Sequence, residues 1–319
     1  MKHRPSVVSY VELDDVDVSE LRTYADVYTP SSEGVETAKE RAEAILCVQL
    51  SDAELRKLKN LKLIQGLAAG VDSLPWASIP EHVVVCGNMG SNAEAVAEHA
   101  WALLLAASKR LHVYLPRLRM GDFRQDVKTV LLGGKTLTVV GIGAIGRRVA
   151  EIGKAFGMRV VGVSRSGSSP AIVDMVVGPD RLDEVLAESD FVVLAAPLTK
   201  QTRGMINLRR LRLLKKNVVM VNVGRADLID RNDLMVYLRE NPDACIATDV
   251  WWSVKTNEPW ETELFEHPNF MGTPWIAGAF GNPEVMTMMK KHAVENLVRY
   301  FRGEKPRNII DRSDYVCQT

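Results

Sequence analysis

The chain has 319 residues, of which 46% are hydrophobic and 25% charged, and this balance excludes both disorder and collagen-like repeats while leaving room for two domains. Forty basic residues offset forty acidic ones, so no net field draws nucleic acid or an anionic membrane, and a small-molecule partner is expected. The longest apolar stretch, Ala100–Ala107, is far shorter than the ~20 residues of a membrane helix, and Asp14 and Asp15 arrive too early for a signal peptide, so a cytoplasmic location is expected.

From the N-terminus, Val7–Val11, Ile45–Leu50, Leu63–Leu67 and Val83–Cys86 read as strands. Ser51-Asp-Ala-Glu54 is a capping-box pattern that predicts a short helix through Leu58. Residues Ala93–Leu111 are apolar on most sides and predict a long helix buried between two domains. A second series opens at Lys135: a strand, a tight turn and a helix, then strands at 160–164, 191–197, 218–224, 245–250 and 270–274, with helical segments near 181–188, 207–214 and 231–240. Six strands with crossovers predict an open parallel sheet wound on both sides. The last helix, about Pro283–Arg302, follows the completed sheet and is expected to return to the first domain. The predicted division is therefore 1–108 with 283–319, and 109–282. Cys47, Cys86, Cys245 and Cys317 form no C-x-x-C pair, which argues against a disulfide framework and a zinc site.

Gly141-Ile-Gly143-Ala144-Ile145-Gly146 is a G-x-G-x-x-G placed between an apolar strand and a helix, the context a dinucleotide site requires. Gly141 permits the turn, Gly143 lets backbone approach a pyrophosphate, and Gly146 allows close helix–strand packing. About 20 residues on, where an acidic side chain would mark NAD, the sequence reads Ser164-Arg165-Ser166. A guanidinium and two hydroxyls suit a 2′-phosphate, which favours NADP and leaves NAD as the alternative.

LIQGLAAGVDSLPW, GSNAEAVAEHAWALLL, GKTLTVVGIGAIGRRVA, ESDFVVLAAPLTKQTRGMIN, VVMVNVGRADLID and ATDVWW, in this order, resemble the D-2-hydroxyacid dehydrogenase family. ATDVWW, TPWIAGAFGN and KPRNIIDRSDY are most similar to an archaeal branch labelled as formate or 2-hydroxyacid dehydrogenases. The resemblance implies an α/β fold in which a Rossmann nucleotide domain is inserted in a smaller flavodoxin-like substrate domain. It also implies a homodimer, and hydride transfer between NAD(P) and a small 2-hydroxy or 2-oxo acid such as glyoxylate or hydroxypyruvate. Arg225, in Asn222-Val-Gly-Arg225, matches the family's substrate-binding arginine, whose planar fork suits carboxylate and carbonyl oxygens. The loop Ala69, Gly70 and Val71 matches the one whose backbone N–H groups hold the substrate carboxylate. Asn92 matches a substrate-contacting asparagine, with helix N-capping as its other reading. Pro197, Thr202, Val223, Gly224, Asp249 and Ala277 match positions along the cofactor, Asp249 beside the nicotinamide carboxamide.

One position departs from the family. Its acid–base histidine sits in T-P-H-I-A-G, whereas this chain reads Thr273-Pro-Trp275-Ile-Ala-Gly278, and an indole N–H is too weak an acid to deliver a proton near neutral pH. The family's partner glutamate is displaced to Glu258. None of His3, His82, His99, His112, His267 and His292 obviously substitutes, and His99, inside the apolar helix, reads as a packing residue. Three readings follow. The chain is a 2-hydroxyacid reductase drawing its proton from water or from Glu258, desolvated among Trp251, Trp252, Trp260 and Trp275. Alternatively it is a formate dehydrogenase, which has no hydroxyl proton to handle, or a catalytically silent dinucleotide-binding sensor.

Overall fold

A computed structural model describes residues 4–168, 173–253 and 262–316. The chain divides into two compact units, Met1–Asn92 with Gly281–Thr319, and Ala93–Phe280.

The first unit carries strands β1 (Ser6–Ser9), β2 (Asp26–Tyr28), β3 (Ala44–Cys47), β4 (Leu63–Gly66) and β5 (Val84–Cys86). All pair in parallel in the order β2-β1-β3-β4-β5, the flavodoxin-like arrangement. β1, β3 and β4 are buried at every position, as expected of parallel strands covered on both faces. The predicted cap at Ser51 is present, its Oγ accepting from the Glu54 N–H at 3.2 Å, but the helix stops at Leu55. The Pro283–Phe301 helix belongs to this unit. Its buried Asn296 donates to Gln65 Oε1 on β4 at 2.7 Å and accepts from the Arg307 N–H at 2.7 Å, satisfying two buried amides together.

The second unit holds β6 (Thr136–Val140), β7 (Arg159–Val163), β8 (Met175–Val177), β9 (Phe191–Leu194), β10 (Val219–Asn222), β11 (Cys245–Thr248) and β12 (Phe270–Gly272). Their order is β12-β11-β10-β9-β6-β7-β8, a doubly wound Rossmann sheet whose order reverses at β6/β9. Successive residues alternate between two cores: Val140, Val192, Met220 and Ile246 face one, Val139, Val193, Val221 and Ala247 the other.

Three features depart from expectation. β2 and β8, each three residues long, are edge strands the sequence pattern did not announce. The long helix spans Ala93–Ser108 and then breaks at Arg110, which takes a left-handed φ of 53° before a second helix, Leu111–Arg119. Arg110 is held there by guanidinium bonds to the Ala244 carbonyl at 3.1 Å and to the Asp243 carbonyl. The Ala93–Ser108 helix also falls wholly in the second unit, which moves the division from 108/109 to 92/93. Its apolar face, Val96, Ala97, Ala100, Leu103 and Leu104, is part of the nucleotide sheet's core, and Trp101 Nε1 donates to the Val149 carbonyl at 3.1 Å. Among the described residues no helix is long and apolar enough to cross a membrane.

Candidate active site

In open α/β sheets ligands bind at the carboxyl ends of the strands, beside the point where the order reverses. At the end of β6, Gly141 has a φ of 99°, and a Cβ there would lie 2.6 Å from the Ala196 backbone, so only glycine fits. Gly146 is as constrained, since its Cβ would meet the Gly141 carbonyl oxygen at 2.0 Å. Gly143 is the opposite case: a Cβ there would have no neighbour within 4 Å, which leaves open space beside the N-terminus of the Ala144–Ala155 helix. The first-turn N–H groups of Ala144, Ile145 and Gly146 have no carbonyl inside the helix to satisfy them. Two glycines thus seat the turn and the third clears room for a diphosphate, so the loop fits a dinucleotide.

Past β7, Ser164 Oγ donates to the Ser168 carbonyl at 2.8 Å, and Ser166 Oγ to the same carbonyl at 3.2 Å. Gly167, with a φ of 64°, closes this turn, and Arg165 is exposed on it. Ser164, Arg165 and Ser166 are therefore presented on one short turn, with the two hydroxyl protons directed inward.

On the other side of the reversal, Pro197 follows β9, and its carbonyl accepts from Thr202 Oγ1 at 2.7 Å. After β10, Asn222 organises the next turn: its Oδ1 accepts from the Gly224 N–H at 3.1 Å and its Nδ2 donates to the Arg225 carbonyl at 2.8 Å. Gly224 is pressed against the Ala196 carbonyl, where a Cβ would approach to 2.8 Å, and Val223 is buried. This turn holds the half-buried Arg225, whose guanidinium also donates to the Gly224 carbonyl at 2.9 Å.

After β11, Asp249 is 1% exposed. Its Oδ1 accepts from Thr273 Oγ1 at 2.6 Å and from the Ile276 N–H at 2.9 Å, and its Oδ2 from the Ala277 N–H at 2.8 Å. The carboxylate thus faces its own chain and fixes the loop after β12. His99 reaches the same cluster from the Ala93–Ser108 helix, with Nε2 2.8 Å from Thr273 Oγ1 and 3.6 Å from Asp249 Oδ1. The packing histidine of the sequence is thus hydrogen-bonded, and no local signal marks these partners, because they lie about 150 or more positions away in the chain. Trp275 stands in this loop at a left-handed φ of 58°, 42% exposed, with its ring tilted against Phe280.

In the first unit, the segment after β4 carries Ala69, Gly70 and Val71, whose backbone N–H groups have no acceptor among the described residues. The Val71 carbonyl is held by Trp76 Nε1 at 2.8 Å, which steadies the loop. Asn92 Oδ1 is buried without a hydrogen-bond partner among the described residues, so this oxygen does not cap the helix that follows.

Residues 101–277 match the NAD-binding domain of the D-isomer specific 2-hydroxyacid dehydrogenases. A glyoxylate reductase of Aeropyrum pernix is 33% identical over 97% of this chain and 96% of its own. The glyoxylate reductase of Thermococcus kodakarensis is 34% identical over 79% of this chain and 77% of its own. The chain belongs to the D-isomer specific 2-hydroxyacid dehydrogenase family. A solved Pyrobaculum aerophilum protein with a provisional formate dehydrogenase label superposes with a TM-score of 0.87 at 40% identity, covering 98% of this chain and all of that one. This 2-hydroxyacid dehydrogenase is an NAD(P)-dependent oxidoreductase with a Rossmann nucleotide-binding unit.

Glu258 and Trp260 lie outside the described residues. Trp251 and Trp252 donate their indole N–H groups to the Thr273 and Ile229 carbonyls at 2.9 and 3.0 Å, and Trp251 stacks on Phe265, apart from the exposed Trp275 ring. Trp251 and Trp252 are thus each tied to a backbone carbonyl of the nucleotide unit.

Proposed function

We propose that the chain reduces glyoxylate or a 2-oxo acid of similar size with NADPH, in the cytoplasm and as a homodimer. The observation that carries this reading is the turn from Asn222 to Arg225, which holds a half-buried guanidinium at the carboxyl end of the nucleotide sheet. A cation there stabilises the alkoxide that develops when a carbonyl carbon is reduced. When bound, the nicotinamide supplies the hydride. Gly141, Gly143 and Gly146 would seat its diphosphate. Pro197, Thr202, Val223 and Gly224 border the path toward Asp249 and Ala277, and Arg165 would meet the 2′-phosphate. Within the first unit, the N–H groups of Ala69, Gly70 and Val71, which have no acceptor among the described residues, are read as carboxylate-holding groups and Asn92 as a further polar contact, so this unit is read as the substrate domain. Exposed apolar side chains at Leu115, Leu118, Met120, Phe123 and Leu131 support a self-association face.

The formate reading draws on the Pyrobaculum neighbour's label and on the loss of the loop histidine. A steady-state assay with NADPH and NADH against glyoxylate, hydroxypyruvate and pyruvate, and with NADP and NAD against formate, separates the two. The expected result is turnover of glyoxylate with NADPH preferred. Formate oxidation without 2-oxo acid reduction would overturn it, and dinucleotide binding with no turnover would make the chain a sensor.

A further inference from the structure

Reducing a carbonyl needs a proton as well as a hydride, and Trp275 cannot give one. Among the described histidines, His82 meets the Leu61 carbonyl in the first unit, His112 the Pro268 carbonyl at the amino ends of the strands, His267 sits in the turn before β12 at those same ends, and His292 is exposed. His99 alone among them lies beside a carboxylate.

The proton inventory of its cluster is decisive. The Thr273 hydroxyl has one hydrogen, and at 2.6 Å it goes to Asp249, whose two oxygens only accept. Thr273 Oγ1 must then accept from His99, so Nε2 carries a hydrogen and Nδ1 is the nitrogen that gains or loses one. Nδ1 has no partner among the described residues and is not sealed from solvent, the side chain being 18% exposed. When Nδ1 is protonated, the imidazolium lies 3.6 Å from Asp249 Oδ1. A ring nitrogen left open on one side, with the other nitrogen engaged by a hydroxyl and a buried carboxylate alongside, is the organisation of a general acid.

Other charges on the packed elements are engaged elsewhere. Glu94 pairs with Arg148, which also takes Glu151, and Lys154 pairs with Asp174. Glu98 and Arg147 are exposed, β10 and β11 carry no carboxylate or cation, and Thr273–Ala277 has no ionisable side chain.

We propose that His99, oriented by Thr273 and Asp249, is the proton source for 2-oxo acid reduction and takes the place of the absent loop histidine. The inference rests on the reductase reading. In the reduction the carbonyl carbon gains the hydride and the carbonyl oxygen gains a proton from Nδ1, directly or through one water. The N–H electron pair stays on the ring, leaving neutral His99, and solvent returns the proton.

The test combines kinetics with a readout that needs no turnover. His99→Gln retains an amide N–H that can reach Thr273 but cannot ionise. Its kcat for glyoxylate reduction is expected to fall roughly 10²–10⁴-fold, with the pH-dependent limb of the wild-type profile flattened and NADPH affinity kept. Nitrogen-15 NMR of histidine-labelled wild-type protein is expected to show neutral His99 as the Nε2–H tautomer, a preference lost in Thr273→Val. If His99→Gln does not fold, Thr273→Val carries the kinetic arm, and the pH limb should move. An active wild type whose His99→Gln variant keeps its rate and pH profile, or a resting Nδ1–H tautomer, overturns the assignment of His99 alone. A wild type inert toward every 2-oxo acid overturns the reductase reading and this role with it.

Discussion

The two ends of the nucleotide sheet each hold a histidine from one of two successive helices, and their surroundings are opposite. At the carboxyl end, His99 has a hydroxyl, a buried carboxylate and an accessible second nitrogen. At the amino end, His112 Nε2 faces the Pro268 carbonyl at 3.1 Å and the Cys245 thiol, with Arg110 close by. Its Nδ1 is buried without a partner, and burial, reinforced by the Arg110 charge, pushes its pKa below 6.5 against the opposing pull of the Pro268 carbonyl. The same side chain is thus an acid where a carboxylate and an outlet are built around it, and a neutral packing group where they are not. Burial also lifts the Cys245 thiol to about 11, so this thiol is no ready nucleophile.

Substitutions at the carboxyl end should therefore change rate, and those at the amino end stability. The largest effect is expected for Arg225→Ala, which removes the cation proposed to face the developing alkoxide. A loss of about 10²–10³-fold in kcat/KM, with an unchanged denaturation midpoint, is the expected outcome. A variant that unfolds instead would make this arginine structural and erase the contrast.

Next comes Arg165→Ala. Losing a charge-assisted contact worth about 1.5–3 kcal/mol should raise KM for NADPH roughly 10- to 100-fold and leave KM for NADH in place. Equal effects on both cofactors would show that Arg165 does not read the 2′-phosphate.

The smallest effect concerns His112→Gln, expected to cost about 1 kcal/mol in urea denaturation through its lost hydrogen bond, with little change in kcat. Its pH signature is distinctive. Because the folded pKa lies below 6.5, the unfolded chain takes up this proton first. The contribution of His112 to stability is then full above about pH 6.5 and declines as pH falls below it toward the folded value. His112→Gln should remove that part of the acid slope.

Much of this architecture is legible in the sequence because its signals are local. The apolar runs that became β9 and β10 are nearly continuous, and Gly141 and Gly146 obey steric rules acting within a few residues or against one neighbouring strand. β2 and β8 escaped because a three-residue edge strand, as in Asp26–Tyr28, has too few positions to establish a period and is only partly buried. The break at Arg110 escaped because it is set by carbonyls at 243 and 244, far along the chain. The partners of His99 are illegible locally for the same reason. Its helix is as apolar as expected, but the carboxylate that gives the imidazole a task arrives only when β11 lies alongside.

The chain route has a consequence for synthesis. The first unit closes only when residues 281–319 rejoin it, and β4 and β5 depend on partners from that tail: Asn296 for Gln65, and the Ile310 N–H, which donates to the Val85 carbonyl at 2.9 Å. At about 5–20 residues per second a ribosome needs roughly ten seconds or more to make the intervening stretch. During that interval the second unit, one unbroken segment, can fold as it emerges, while the nascent first sheet waits with its helix-facing surface uncovered. The half made first is finished last, which makes the N-terminal sheet the segment most in need of chaperone cover.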